Sequence, residues 1–177
     1  MKVQILSNVH NNGGSPYASR EDFGKIFAEG LTSLYQLSFL LTGDQEKAER
    51  CFVSGIEDCV NENRVFKEWA HSWAKRAIIH NAIRELKPRP RGSNSFSSRS
   101  VTSHIPQSSY PSEHFTVETL LGLQDFERFV FVMSVLEKYS QRDCAVLLAC
   151  SIAEVREARA LALKNLAAEI TWVTAQA

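Results

Sequence analysis

The sequence predicts an all-α protein of two small helical domains joined by a flexible linker, the second with a helix-turn-helix. Three features carry that expectation. Apolar residues recur at three- and four-residue spacing in several separate stretches, as on amphipathic helices. No stretch alternates polar and apolar residues long enough to suggest a sheet. Between the two sets of helical stretches, residues 87–115 are rich in Ser, Pro and Arg and too polar to build a core. A structureless stretch of that length favours two domains over one. The expected boundaries are a disordered tail over 1–18, a first helical domain over 19–87, a linker over 88–115 and a second domain over 116–177.

The elements follow in order. Asn11-Asn12-Gly13-Gly14 in the tail cannot support a regular element. Ser19 is a helix cap with Asp22 three residues on, a variant capping box. One helix is then expected, with the stripe Phe23, Ile26, Phe27, Gly30, Leu31, Leu34, Leu37 and Leu41. Thr42-Gly43-Asp44 breaks it. Thr42 or Asp44 caps a second helix, striped by Ala48, Cys51, Phe52, Gly55, Ile56, Cys59 and Val60. A third runs from about Phe66 to Leu86, with Trp69 and Trp73 four apart and expected in the core. Pro88 and Pro90 end it. In the second domain Thr116 caps a short helix over 117–122. A helix over 125–137 follows, with the stripe Phe126, Phe129, Val130, Met133 and Leu136. Ser140 with Asp143, and Ser151 with Glu154, each open a further helix, and Ala149-Cys150 is the turn between them. The last stripe is Val155, Ala158, Ala162, Leu166 and Ile170.

Composition excludes several functions. Hydrophobic residues make up 44% and charged residues 23%, which is ordinary for a globular chain. No apolar run reaches the ~18 residues of a membrane span. The polar N-terminus lacks the pattern of a secretory signal, so a cytoplasmic location is expected. The four cysteines, Cys51, Cys59, Cys144 and Cys150, form no Cys-x-x-Cys pair and read as reduced core residues. His71 and His80, nine residues apart, turn about 900° around a helix and face opposite sides. No metal site, no cofactor and no enzyme activity are expected.

Charge is neutral overall but segregated. Residues 21–62 hold nine acids and three bases, a net −6; residues 64–91 hold eight bases and two acids, a net +6. The basic stretch is a footprint for an acidic partner such as DNA, or a partner for the acidic stretch within the fold.

Two short helices joined by a three-residue turn, each opened by a serine, are the sequence form of a helix-turn-helix. The second helix would present Ser151, Ala153, Glu154, Arg156, Glu157 and Arg159 to a DNA groove. At this point a family resemblance enters. LLGLQDFERFVFVMSVLEKYSQRDCAVLLACSIAEVREARALALKNL (120–166) resembles the promoter −35 reading domain of bacterial RNA polymerase sigma factors of the extracytoplasmic-function class. The residues that carry it are Leu120, Leu123, Tyr139-Ser140, Asp143 to Ala145, Leu148, Cys150-Ser151, Val155 and Leu166. LYQLSFLLTGDQEKAE (34–49), Phe66, Trp69 and AKRAIIHNAIR (74–84) are similar to the same family's core-binding and −10 reading domain.

The resemblance implies RNA polymerase core and promoter DNA as partners, with an anti-sigma factor as a further candidate and no membrane. It implies polymerase contacts at Glu46, Glu49, Arg50 and Val53. It implies DNA contacts at Lys75, Arg76, His80, Arg84, Ser151, Arg156, Arg159 and Lys164. The scaffold positions match better than the working ones. Arg50 stands where the family has an acid, Val53 where it has Gln, and His80 where an Asp is usual. Glu154-Val-Arg-Glu-Ala158 replaces a typical Thr-Val-Lys-Ser-Arg. Two acids near phosphates oppose binding. The chain therefore reads as a divergent or degenerate sigma-like protein. The alternative is an interaction module on that scaffold with no DNA contact of its own.

Overall fold

The computed structural model describes residues 15–61, 64–90 and 117–174, with side chains described up to residue 167. Residues 1–14 of the tail expected over 1–18, Thr116, most of the expected linker and the Ile170 side chain lie outside the described residues; the last four residues of that tail, 15–18, are instead tied by backbone hydrogen bonds to the segment before α4. Among the described residues the fold is all-α, and the only β pairing is an isolated bridge between Tyr17 and Phe66. The helices are α1 (Arg20–Glu29), α2 (Leu31–Thr42), α3 (Gln45–Asn61), α4 (Ala70–Leu86), α5 (Val117–Leu121), α6 (Asp125–Phe131), α7 (Gln141–Leu147) and α8 (Ile152–Thr174).

Ser19 opens α1 with a capping box: its hydroxyl accepts from the Asp22 amide, and the Asp22 carboxylate accepts from the Ser19 amide. The single helix expected over Phe23 to Leu41 is instead two. The backbone flattens at Gly30 (φ −92°, ψ 10°), where Leu34 packs so close that an added Cβ would lie 3.2 Å from its Cδ1. Phe23, Phe27, Leu34, Leu37 and Leu41 still point inward, whereas Leu31 is exposed. Gly43 ends α2 in the left-handed region (φ 67°), which glycine adopts without a Cβ clash. Of the two caps proposed for α3, Asp44 takes the role by accepting from the Lys47 amide at 2.9 Å. Thr42 donates back to the Ser38 carbonyl instead.

Helices α1 to α4 pack on one another, with α3 lying along α4 and α2. The approach of α3 to α4 is close at Gly55, where an added Cβ would meet Ile78 Cγ1 at 3.0 Å. Ser38, fully buried, ties α2 to α3 by donating to the Ala48 carbonyl at 2.8 Å.

In the second half, α6 departs from its expected stripe. Every residue from Phe126 to Ser134 is buried. The reason is that α8 covers one side of α6 while α2, from the first half, covers another. Beyond Phe131 the helix widens into a π turn over Val132–Leu136, closed by the Glu137 amide donating to the Val132 carbonyl at 2.9 Å. Leu136, expected inward, is carried out of the core and is exposed. Lys138 (φ 62°) then turns the chain into α7. The buried apolar side chains of both halves form one contiguous cluster.

Candidate nucleic-acid interface

The sequence-derived DNA residues lie in two places, α4 and α8 with its cap. On α4, positions 73, 76, 77, 80 and 84 share one face by helical spacing. Trp73, Arg76, Ala77, His80 and Arg84 line, with Asp58 of α3, a shallow cavity of about 210 Å³. Arg76, His80 and Arg84 are exposed there. Arg84 is partly engaged. It donates to the side-chain amide oxygen of Asn81 and lies 3.7 Å from Asp58, while the buried Asn81 side chain donates to Asp58 at 2.7 Å. Lys75 points to the other side and donates to the Glu137 carboxylate at 2.6 Å. A wider groove of about 580 Å³ runs beside the cavity and shares Trp73 and Arg76 with it. It is bounded by Trp69, His71 and Lys75 on α4's side and by Glu137 to Ser140 and Asp143 on the other.

Trp69 corrects an expectation. It does not enter the core but stands 58% exposed. The chain enters α4 through a 3₁₀ turn over Lys67–Trp69. That tighter turn moves Trp69 off the face that Trp73 follows. Phe66, also exposed, meets Trp69 edge-on with ring centroids 5.3 Å apart, and Tyr17 meets Phe66 at 4.9 Å. The Lys67 amide donates to the Pro16 carbonyl, and the Ala18 amide to the Val65 carbonyl, so this aromatic corner has a hydrogen-bonded backbone. Trp73 is half-buried, and its indole nitrogen is buried with no hydrogen-bond partner among the described residues. Four-residue spacing puts Trp69 and Trp73 on one face only where the helix is continuous, and only Trp73 packs against the core.

At the start of α8 the polar residues serve the helix itself. The Glu154 amide donates to the Ser151 hydroxyl at 3.2 Å, and the Glu154 carboxylate accepts from the Ser151 amide at 2.7 Å. These hydrogen bonds hold the Glu154 carboxyl below the usual carboxylate range. At α7 the Ser140 hydroxyl accepts from the Asp143 amide and donates to the Asp143 carboxylate. Ala149 (φ 50°) takes the turn between the helices. Arg156 and Lys164 are exposed, whereas Arg159 is half-buried with its Nε unpartnered among the described residues. Val146 and Ile152 stand exposed on either side of the turn.

On α3, Glu46, Glu49, Arg50 and Val53 are all exposed. Arg50 bridges Glu46 at 2.6 Å and Glu85 of α4 at 2.7 Å. Glu49 accepts from Gln45 at 3.3 Å. Val53 is 52% exposed, so it is not a core residue.

Burial pushes the Cys144 thiol up to about 11, which keeps it protonated at neutral pH. All four cysteines are free. Among the described residues no group of three or more His, Cys, Asp or Glu could hold a metal, and no helix is long and apolar enough to cross a membrane.

No model of a known protein family matches the chain, and no curated protein matches it. Among solved structures, it is similar to a chain in the co-crystal structure of the sigma factor RpoE with the anti-sigma factor NepR from Bartonella quintana. The TM-score is 0.46 at 18% identity, over 86% of this chain and 98% of that one.

Proposed function

We propose that the chain is a sigma-factor-like transcription protein that binds RNA polymerase core and promoter DNA to direct transcription initiation. DNA is held chiefly by α4 as an unpaired strand. One observation carries this reading: exposed aromatic rings, Phe66 and Trp69, stand at the head of a helix that bears Arg76, His80 and Arg84 on one face and Lys75 in the adjoining groove. Rings that accept stacked bases beside cations that track phosphates are the chemistry of single-strand binding. The resemblance of residues 34–84 and 120–166 to extracytoplasmic-function sigma factors supports the transcriptional setting. Arg156 and Lys164 on α8 serve as outer phosphate partners. Polymerase core takes the exposed acidic edge of α3, Glu46 and Glu49, with Arg50 and Val53 one turn further along the helix.

The test is titration of a labelled single-stranded oligonucleotide. Trp69→Ala should weaken binding about tenfold, in line with roughly 1–3 kcal/mol per stacked base, and should affect a duplex of the same sequence less. Equal affinities for wild type and variant would refute the stacking role.

A second reading is an interaction module with no DNA contact of its own. It is favoured by Val146 and Ile152, exposed beside the α7–α8 turn, where a groove reader would carry polar side chains. Binding of core polymerase without binding of either oligonucleotide would select it.

A further inference from the structure

The second half of the chain does not only lie beside α4; it forms one wall of the groove in which Trp69, Trp73, Lys75 and Arg76 stand. The contact has two parts. The first is Arg128 of α6, whose side chain is almost wholly buried. Its Nε and Nη2 donate to the Leu41 and Thr42 carbonyls at the C-terminus of α2, at 3.2 and 3.4 Å. Its remaining nitrogen, Nη1, donates to the Leu121 and Leu123 carbonyls, and Nη2 also reaches Asp125 at 2.7 Å. A cation from one half thus caps a helix of the other, where the helix dipole favours positive charge. The second part is the segment after the π turn. It lays the Glu137 carboxylate on Lys75 Nζ at 2.6 Å, both groups being partly shielded from solvent. It also brings Tyr139 within the electrostatic reach of Arg76.

We infer that this docking is an intramolecular brake on nucleic-acid binding: Glu137 holds Lys75 in the place of a phosphate, and Arg128 fixes the segment there by capping α2. The inference rests on the reading of α4 as the nucleic-acid face. A carboxylate and a phosphate oxygen are alternative acceptors for one ammonium group. An incoming strand must therefore displace Glu137, and its apparent affinity falls by the fraction of molecules in which Lys75 is free.

The experiment is titration of a single-stranded oligonucleotide against the full chain as wild type, Glu137→Gln, Lys75→Ala and the double variant. Glu137→Gln keeps the shape and removes the charge. It should tighten binding about tenfold at low salt, and the gain should shrink as salt rises. In the Lys75→Ala background the same change should gain little, because the group it frees is absent. An equal gain in both backgrounds would reduce Glu137 to a diffuse negative charge and overturn the brake. No gain in either, with wild type still binding, would overturn it while leaving the nucleic-acid reading in place. No binding by any of the four proteins would remove that reading and the brake together.

Discussion

Two surfaces of this molecule to which the sequence assigns DNA contacts, the outer face of α4 and the start of α8, use their polar residues for different ends. On α8, Ser151 and Glu154 satisfy each other and the free amides of the helix start, so the polar atoms there are engaged before any ligand arrives. On α4 the helix begins from a 3₁₀ turn without a side-chain cap. The Trp69 ring and the Arg76 guanidinium therefore face solvent beside it, while Lys75 and Arg84 are ion-paired. A count of basic residues thus does not locate a nucleic-acid face. What matters is which polar groups the fold has already engaged.

The largest effect should come from the residue that joins the two halves. Arg128→Ala leaves the Leu41 and Thr42 carbonyls without their buried partner and should cost roughly 3–5 kcal/mol in chemical denaturation. A loss below about 1 kcal/mol would mean that the halves, and the two surfaces, are only loosely coupled. Gly55→Ala comes next, since it forces α3 from α4 at Ile78, and overpacking of this kind costs about 1–3 kcal/mol. The same variant should weaken oligonucleotide binding through α4 if that helix carries the site.

Much of this architecture was legible in the sequence because it is local. Capping pairs at Ser19, Ser140 and Ser151 sit three residues from their partners, and the apolar positions of α3 and α8 need only the helical period. What escaped is tertiary or rests on a change of helix type. The enclosure of α6 depends on α2, some ninety residues earlier in the chain. Arg128 lies in an apolar run, and nothing local says that it caps another helix. Trp69 left the core because three residues adopt a tighter turn. The binding residues proposed on α4 were within reach of the charge pattern, but Glu137, which engages one of them, was not.

Ser151→Ala separates the two surfaces in another way. Loss of the cap should cost roughly 1 kcal/mol in a melt, with nucleic-acid affinity staying within about twofold, well below one tenfold step of 1.4 kcal/mol. A tenfold loss of affinity with unchanged stability would make the hydroxyl a phosphate contact and the α8 start a reader. Smallest of all should be Val53→Gln on exposed α3, with stability changed by no more than about 0.5 kcal/mol. Its readout is core-polymerase affinity, which should rise, most clearly when combined with Arg50→Asp. Unchanged affinity would remove this surface from the polymerase contact.

The most direct test is a salt titration of single-stranded oligonucleotide binding by three proteins: wild type, Lys75→Ala/Arg76→Ala/Arg84→Ala, and Arg156→Ala/Arg159→Ala/Lys164→Ala. Removal of one phosphate partner should flatten the dependence of log affinity on log salt by about 0.7. The account predicts that the α4 triple variant loses most of the affinity and at least one such step of slope, while the α8 triple variant keeps most of both. Loss of binding and slope in the α8 variant, with the α4 variant indistinguishable from wild type, would contradict it.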